Sequence, residues 1–263
     1  MDISLLGKRA FVCGSTQGIG RAVAEVLAKQ GASLTLLARN EASLKEVKAS
    51  LASGPDQEHD YLVVDFSDPE ALKQKVAAYL EEKKEGIHIL INNTGGPKGG
   101  PIIDAEVDEF FSAYRMHLAC NHYLVQALVP GMKAASYGRI INVISTSVKQ
   151  PIAGLGVSNT TRGAVSSWAK TLAGELAQFG ITVNSVLPGF INTGRLDYVI
   201  QTRADKAGVS FDEMKESFAS SVPARRIGKP QEIAEVIGFL ASPAASYVCG
   251  VNLQVDGGRT QAL

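Results

Sequence analysis

Cys13-Gly14-Ser15-Thr16-Gln17-Gly18-Ile19-Gly20 is the stretch from which the fold can be read. Before it runs Arg9-Ala10-Phe11-Val12, short, apolar and β-prone; after it Ala22, Val23, Val26 and Leu27 recur at helical spacing. A buried strand therefore turns abruptly into an amphipathic helix, and the turn carries three glycines. Glycine takes a positive φ without a Cβ clash and lets another group approach the main chain. The unpaired N–H groups that open the helix favour an anion. Together these features predict a phosphate cradle for a dinucleotide, built from Gly14, Gly18 and Gly20 with Ser15, Thr16 and Ile19 between them. The spacing is G-x-x-x-G-x-G rather than G-x-G-x-x-G. An ordinary glycine-rich strand–helix turn is the plainer alternative for the stretch alone.

Outward from this turn, strand and helix patterns alternate to the end of the chain. Strands are expected at 9–12, 33–38, 61–64, 87–91, 139–144, 182–187 and 251–255. Helices are expected at 41–53, 68–84, 106–134, 157–178 and 231–241. Asp68-Pro69-Glu70 opens one of them, with Asp as cap and Pro in the first turn. Neither repeat nor linker interrupts the pattern. The economical solution is one α/β domain over 1–263, a single Rossmann-type doubly wound parallel sheet of about seven strands with helices on both faces. Residues 190–222 are the most polar and least regular, and are expected to form a mobile substrate lid.

Composition narrows the partners. The 263 residues are 45% hydrophobic and carry a formal net charge of zero. A neutral balance without a basic run gives no indication of nucleic acid. No apolar stretch approaches a membrane span, and Met1-Asp2-Ile3-Ser4 lacks the start of a signal peptide. Cys13, Cys120 and Cys249 fit neither a disulfide framework nor a metal site. Buried thiols in the cytoplasm are the expectation.

The second strand ends at Ala38 without the carboxylate that ordinarily binds the ribose 2′-OH of NAD, and Arg39 comes next. A guanidinium suits a 2′-phosphate, so NADP(H) is favoured; a merely solvated Arg39 is the alternative. The fourth strand flows into Asn92-Asn93-Thr94-Gly95-Gly96, at the carboxyl edge where open α/β sheets bind ligands.

The ordered set resembles the short-chain dehydrogenases/reductases, and within them the 3-oxoacyl-carrier-protein reductase-like members. The matching residues are Gly14-x-x-x-Gly18-x-Gly20, Asp65, Asn92-Asn93-Thr94-Gly95, Ser145, Asn184, Pro188-Gly189, Thr193 and Val255-Asp256-Gly257-Gly258, with the stretch 223–234. The resemblance implies that the three glycines wrap the pyrophosphate and Arg39 meets the 2′-phosphate. It implies that Asp65 and its main chain hold the adenine, and that Asn92 and Gly95 line the adenosine side. Ile191 and Thr193, just after Pro188-Gly189, would hold the nicotinamide carboxamide. It also implies a homo-oligomer, tetramer or dimer, and a small-molecule substrate.

The catalytic pattern departs from the family. The resemblance places a Tyr thirteen residues after Ser145 and a Lys four later; these positions hold Ser158 and Arg162. The position of the family's helix Asn holds His117. A serine hydroxyl is a far weaker acid than a phenol, and general acid catalysis favours a pKa near the working pH. Arginine stays protonated and cannot shuttle a proton. Three readings are open: a reductase with another proton donor, a non-catalytic NADP-binding sensor or partner subunit, or a different reaction on the same scaffold. For the first, His117 is the best candidate, since imidazole titrates near neutrality. Tyr114, three residues earlier, is expected to share its face, and Tyr198 is a further donor. Ser145 and Ser158 would then hydrogen-bond the substrate carbonyl while Arg162 stabilises charge. A half-buried, satisfied helix histidine is the equal alternative for His117.

Overall fold

The computed structural model describes residues 1–262. Strand β1 (Arg9–Cys13) is buried from Ala10 onward, as a central parallel strand requires. The chain moves outward through β2 (Ser33–Ala38) to β3 (Asp60–Val63), then crosses back to β4 (Ile89–Asn92) on the other side of β1. It continues through β5 (Gly138–Val143), β6 (Ile181–Pro188) and β7 (Asn252–Val255). The order is β3-β2-β1-β4-β5-β6-β7, with every neighbouring pair parallel. The direction of winding reverses between β1 and β4, and the crevice of such a sheet lies at that switch. The glycine loop leaves β1 and Asn92 ends β4, so both stand at it.

Helices cover both faces. One core layer sets α1 (Gly18–Lys29), α2 (Glu41–Ser50) and α9 (Pro230–Ala241) against the sheet through Val23, Leu27, Leu44, Ile233 and Ile237. The other uses α3 (Pro69–Lys83), α5 (Cys120–Ala134) and α6 (Gly156–Leu176), through Leu72, Val76, Leu124, Leu128, Ala169 and Ala173. Burial of each large aliphatic side chain is worth about 1.5–3 kcal/mol. Asp68 caps α3 through the Ala71 N–H at 3.0 Å, and Pro69 opens it, as expected.

Two expectations need correction. The long helix over 106–134 is divided. α4 (Val107–Tyr114) and α5 are joined by a π turn at Arg115–Ala119, which inserts an extra residue per turn and rotates α5 relative to α4. Tyr114 is therefore 52% exposed while His117 is buried, so they do not share a face. Residues 190–222, expected to be irregular, fold into α7 (Gly194–Ala207) and α8 (Phe211–Ser220). Thr193 caps α7, Gly208 ends it with φ 68°, and Ser210 with Glu213 forms a capping box on α8. Leu196, Ile200 and Phe218 then make a small core of their own with Phe190, Phe211 and Met214. Among the described residues, no helix is long and apolar enough to cross a membrane.

Candidate active site

Gly14 and Gly18 adopt φ values of 58° and 54°, the left-handed region that glycine alone enters without strain. Gly20 is required for a second reason. A Cβ there would stand 2.0 Å from the Gly14 carbonyl oxygen. The loop is thus closed on itself, and Asn93 locks it, its Nδ2 donating to the carbonyls of Cys13 at 3.2 Å and Gly14 at 3.3 Å. At the mouth of α1 no side chain supplies a cap, in contrast to α2, α3, α7 and α8. Beside these free N–H groups the Ser15 hydroxyl is fully buried and has no hydrogen-bond partner. A buried polar atom without a partner costs free energy. Bare helix N–H groups, a closed glycine turn and an orphaned hydroxyl suit the pyrophosphate of a dinucleotide.

Thr193 packs on the same loop: its Cγ2 would lie 3.1 Å from a Cβ on Gly18. Its hydroxyl caps α7 and donates to the Ile191 carbonyl at 3.2 Å. Pro188 and Gly189 carry β6 to this corner, where Gly189 abuts Asp256 too closely for a side chain. Asp65 lies past β3. Its carboxylate is held below its ordinary value by the Ser67 main-chain N–H first, then the Ser67 hydroxyl and the charge of Arg39. Arg39 therefore stands near Asp65, just past the end of β2. Gly95 is exposed at the same carboxyl edge. The Asn92 Nδ2 is engaged inside the sheet, donating to Asn142 Oδ1 at 2.9 Å, while its own Oδ1 is buried without a partner. Asn184 likewise ties β6 to the approach of β7, through Val251 and Val248.

The chemistry-bearing groups gather where β5 ends. The Ser145 Oγ accepts the Ser147 N–H at 3.0 Å. That bond fixes the oxygen and leaves the hydroxyl hydrogen to donate elsewhere. Ser158 is half-buried in the first turn of α6, and Arg162 lies one turn further along the same face. The Arg162 Nη1 donates to the Val143 carbonyl at 2.9 Å, which draws this part of α6 to the end of β5. Arg162 is only 8% exposed and pairs with no carboxylate among the described residues. Burial, and then the charge of Arg195, lower its pKa to about 10, so it stays cationic at neutral pH.

His117 does not behave as a near-neutral acid. It is 1% exposed, and its Nδ1 lies 2.6 Å from Thr94 Oγ1. Burial and then the charge of Arg162 bring its pKa down to about 2, against a smaller opposing pull from the Gly95 main chain. Burial thus favours the neutral imidazole, which counts against the expectation that it supplies a proton near neutrality. Tyr198 is 57% exposed on α7, with the Arg195 guanidinium 5.6 Å from its ring centre.

The structure adds residues to which the sequence assigns no separate role. Asn93, one of several polar residues at the strand end, is the clasp on the glycine loop. Arg195 stands two residues past Thr193, and its Nη2 donates to the Pro97 carbonyl at 2.7 Å. It thereby joins α7 to the Gly96–Pro101 loop.

A doubly wound sheet with a glycine cradle at its switch point, and a buried cation tied to the end of the strand that Ser145 follows, defines a dinucleotide-binding α/β protein of the dehydrogenase type. Residues 14–260 match the family described as enoyl-(acyl carrier protein) reductase. The 3-oxoacyl-[acyl-carrier-protein] reductase FabG of Vibrio cholerae is 33% identical over 263 residues, covering 97% of this chain and 98% of that protein. The NADPH-dependent reductase BacG of Bacillus subtilis is 30% identical, over 97% of this chain and 99% of its own. The solved L-sorbose reductase of Gluconobacter frateurii, complexed with NADPH and L-sorbose, is 32% identical. It superposes with a TM-score of 0.93 over the whole of both chains. The chain belongs to the short-chain dehydrogenase/reductase family, in its enoyl-(acyl carrier protein) reductase branch, and is similar to the FabG reductases.

Proposed function

We propose that the protein is an NADP(H)-dependent oxidoreductase acting on a carbonyl or hydroxyl group of a small-molecule substrate, with a proton supply that uses no phenol at position 158. The observation that carries this reading is the pairing of an open phosphate cradle, with its orphaned Ser15 hydroxyl, and a buried Arg162 cation tied to the end of the strand that Ser145 follows. The relatives support it, BacG being an NADPH-dependent reductase and the L-sorbose reductase holding NADPH. Gly14, Gly18, Gly20, Ser15, Thr16 and Ile19 hold the pyrophosphate, and Arg39 meets the 2′-phosphate. Asp65, Asn92 and Gly95 border the adenosine, while Pro188, Gly189, Ile191 and Thr193 border the nicotinamide.

When bound, the cofactor supplies the hydride. The residues of this chain do the rest. Ser145 and Ser158 donate hydrogen bonds to the substrate carbonyl oxygen, and Arg162 stabilises the negative charge that develops there while binding ribose hydroxyls. His117 is neutral and holds Thr94 in place; the proton that completes the alcohol enters from water. α7 and α8 form the lid. Ile103, Val107 and Phe111 are 89%, 65% and 56% exposed, and this apolar stripe supports a homo-oligomer. The buried thiols of Cys13 and Cys120 support a cytoplasmic protein.

The test is NADPH consumption across aldehydes, ketones and oxo acids, with Ser145→Ala alongside. Consumption that Ser145→Ala abolishes supports the proposal. A second reading is favoured by the burial that keeps His117 neutral: a nucleotide-binding protein that does not turn over. Tight NADPH binding with no carbonyl compound consumed would select it.

A further inference from the structure

Two guanidinium groups border one gap in the crevice. A side-chain atom on Gly96 would stand 3.8 Å from Arg195 Nη2, 3.9 Å from Arg195 Nε and 4.0 Å from Arg162 Nη2. One cation comes from α6 and the other from α7. Arg162 is more than nine-tenths buried and makes one hydrogen bond, to the Val143 carbonyl. Arg195 makes one as well, to the Pro97 carbonyl. Neither forms an ion pair with a carboxylate among the described residues, although Asp197 is only two positions from Arg195. Two like charges held close, one of them desolvated, repel each other and are costly unless an anion joins them. A guanidinium presents several N–H donors in a fixed fork, so both arginines retain donors for a ligand. The neighbouring His117 ring is neutral, with an unpartnered buried Nε2, and adds no competing negative charge.

We infer that Arg195 and Arg162 clamp an anionic group of the substrate, so that the preferred substrate is a carbonyl compound carrying a carboxylate close to its reacting carbon. This inference rests on the oxidoreductase reading and narrows its substrate class. Arg162 is tied to the Val143 carbonyl, two residues before Ser145, and lies one helical turn after Ser158, which sets the carboxylate near the carbonyl, as in an oxo acid. A side chain at Gly96 would enter the gap between the two guanidinium groups. Arg195 is a specificity-determining residue: it leaves the cofactor cradle untouched and is exposed, so its replacement leaves the fold intact.

The experiment uses the NADPH-loaded protein and two probes, phenylpyruvate and its uncharged methyl ester, titrated by calorimetry at low and high salt. The expected result is at least tenfold tighter binding of the acid, a preference lost in Arg195→Gln and partly kept in Arg195→Lys, with NADPH affinity the same in all three proteins. Equal binding of acid and ester by the wild type overturns the inference. So does acid binding that only the NADPH-free protein shows, since the arginines then serve a phosphate of the nucleotide. An acid preference that survives Arg195→Gln unchanged also overturns it. Because NADPH affinity is measured separately, its absence would instead count against the oxidoreductase reading.

Discussion

Replacing Gly20 by Ala tests the phosphate cradle where the geometry is least forgiving. The added Cβ would lie 2.0 Å from the Gly14 carbonyl oxygen, 2.7 Å from the Gly14 carbonyl carbon and 2.8 Å from Asn93 Nδ2. Non-bonded heavy atoms settle at about 3.5 Å, so the loop and the start of α1 must separate by about 1.5 Å. Two of the three contacts are main chain, which cannot swing aside. The Asn93 clasp, at 3.2 and 3.3 Å, cannot hold across such a shift. Overpacking of this kind costs about 1–3 kcal/mol, while Ala in place of Gly within a helix returns up to about 1 kcal/mol. The net loss of stability is therefore modest, a drop of a few degrees in Tm. The loss of binding is larger. Hydrogen bonds to a charged group are worth about 1.5–3 kcal/mol each, and losing two weakens NADPH affinity by about a hundredfold or more. Fluorescence titration with NADPH, beside a thermal melt, reads both quantities. NADPH affinity within threefold of the wild type, in a folded Gly20→Ala protein, would refute the assignment of this loop to the phosphates.

The remaining predictions concern the catalytic half of the site. The double change Ser158→Tyr with Arg162→Lys should raise carbonyl reduction by about 10²–10⁴-fold, the usual contribution of a positioned general acid; no rise in steady-state turnover would show that more than the acid is missing. The rate of the wild type should show no ionisation of His117 between pH 5 and 9, and His117→Asn should leave the shape of the pH profile unchanged; disappearance of a limb in the mutant would restore His117 as an acid. The same residue bears on stability. Its folded pKa, about 2, lies below the ordinary imidazole value, so its contribution is fully present above about pH 6.5 and is lost as pH falls below it. Thermal melts from pH 7 to pH 4 should therefore fall more steeply for the wild type than for His117→Asn, and parallel slopes would contradict the buried neutral ring.

Much of this architecture is legible in the sequence because its signals are local. The glycine spacing after an apolar strand is a constraint on neighbouring main chain, and the structure places Gly14, Gly18 and Gly20 in one closed turn. The alternation of short apolar runs with helical periods sets the sheet, and its seven strands lie within two residues of the expected bounds. The features that are not legible depend on contacts between distant segments or on helix phase. The π turn at Arg115–Ala119 has no periodic signature, yet it decides that His117 points inward and Tyr114 outward. Burial, which a lone imidazole in a sequence does not announce, then removes its proton. α7 and α8 do carry cap signals, since Thr193 precedes Leu196 at capping distance and Ser210 precedes Glu213 by three residues. Polarity of the stretch conceals them, because only Leu196, Ile200, Ala204 and Phe218 are fully buried. The convergence of Arg162 and Arg195 on Gly96 is a tertiary fact with no sequence signal.

The measurement that bears most directly on the account is calorimetric titration of the purified chain with NADPH and, separately, NADH. One site per chain is expected, with NADPH favoured about tenfold or more through the Arg39 guanidinium and the preference lost in Arg39→Ser. Equal affinity for the two nucleotides would contradict the role given to Arg39, and no heat from either would leave a dehydrogenase architecture without its cofactor.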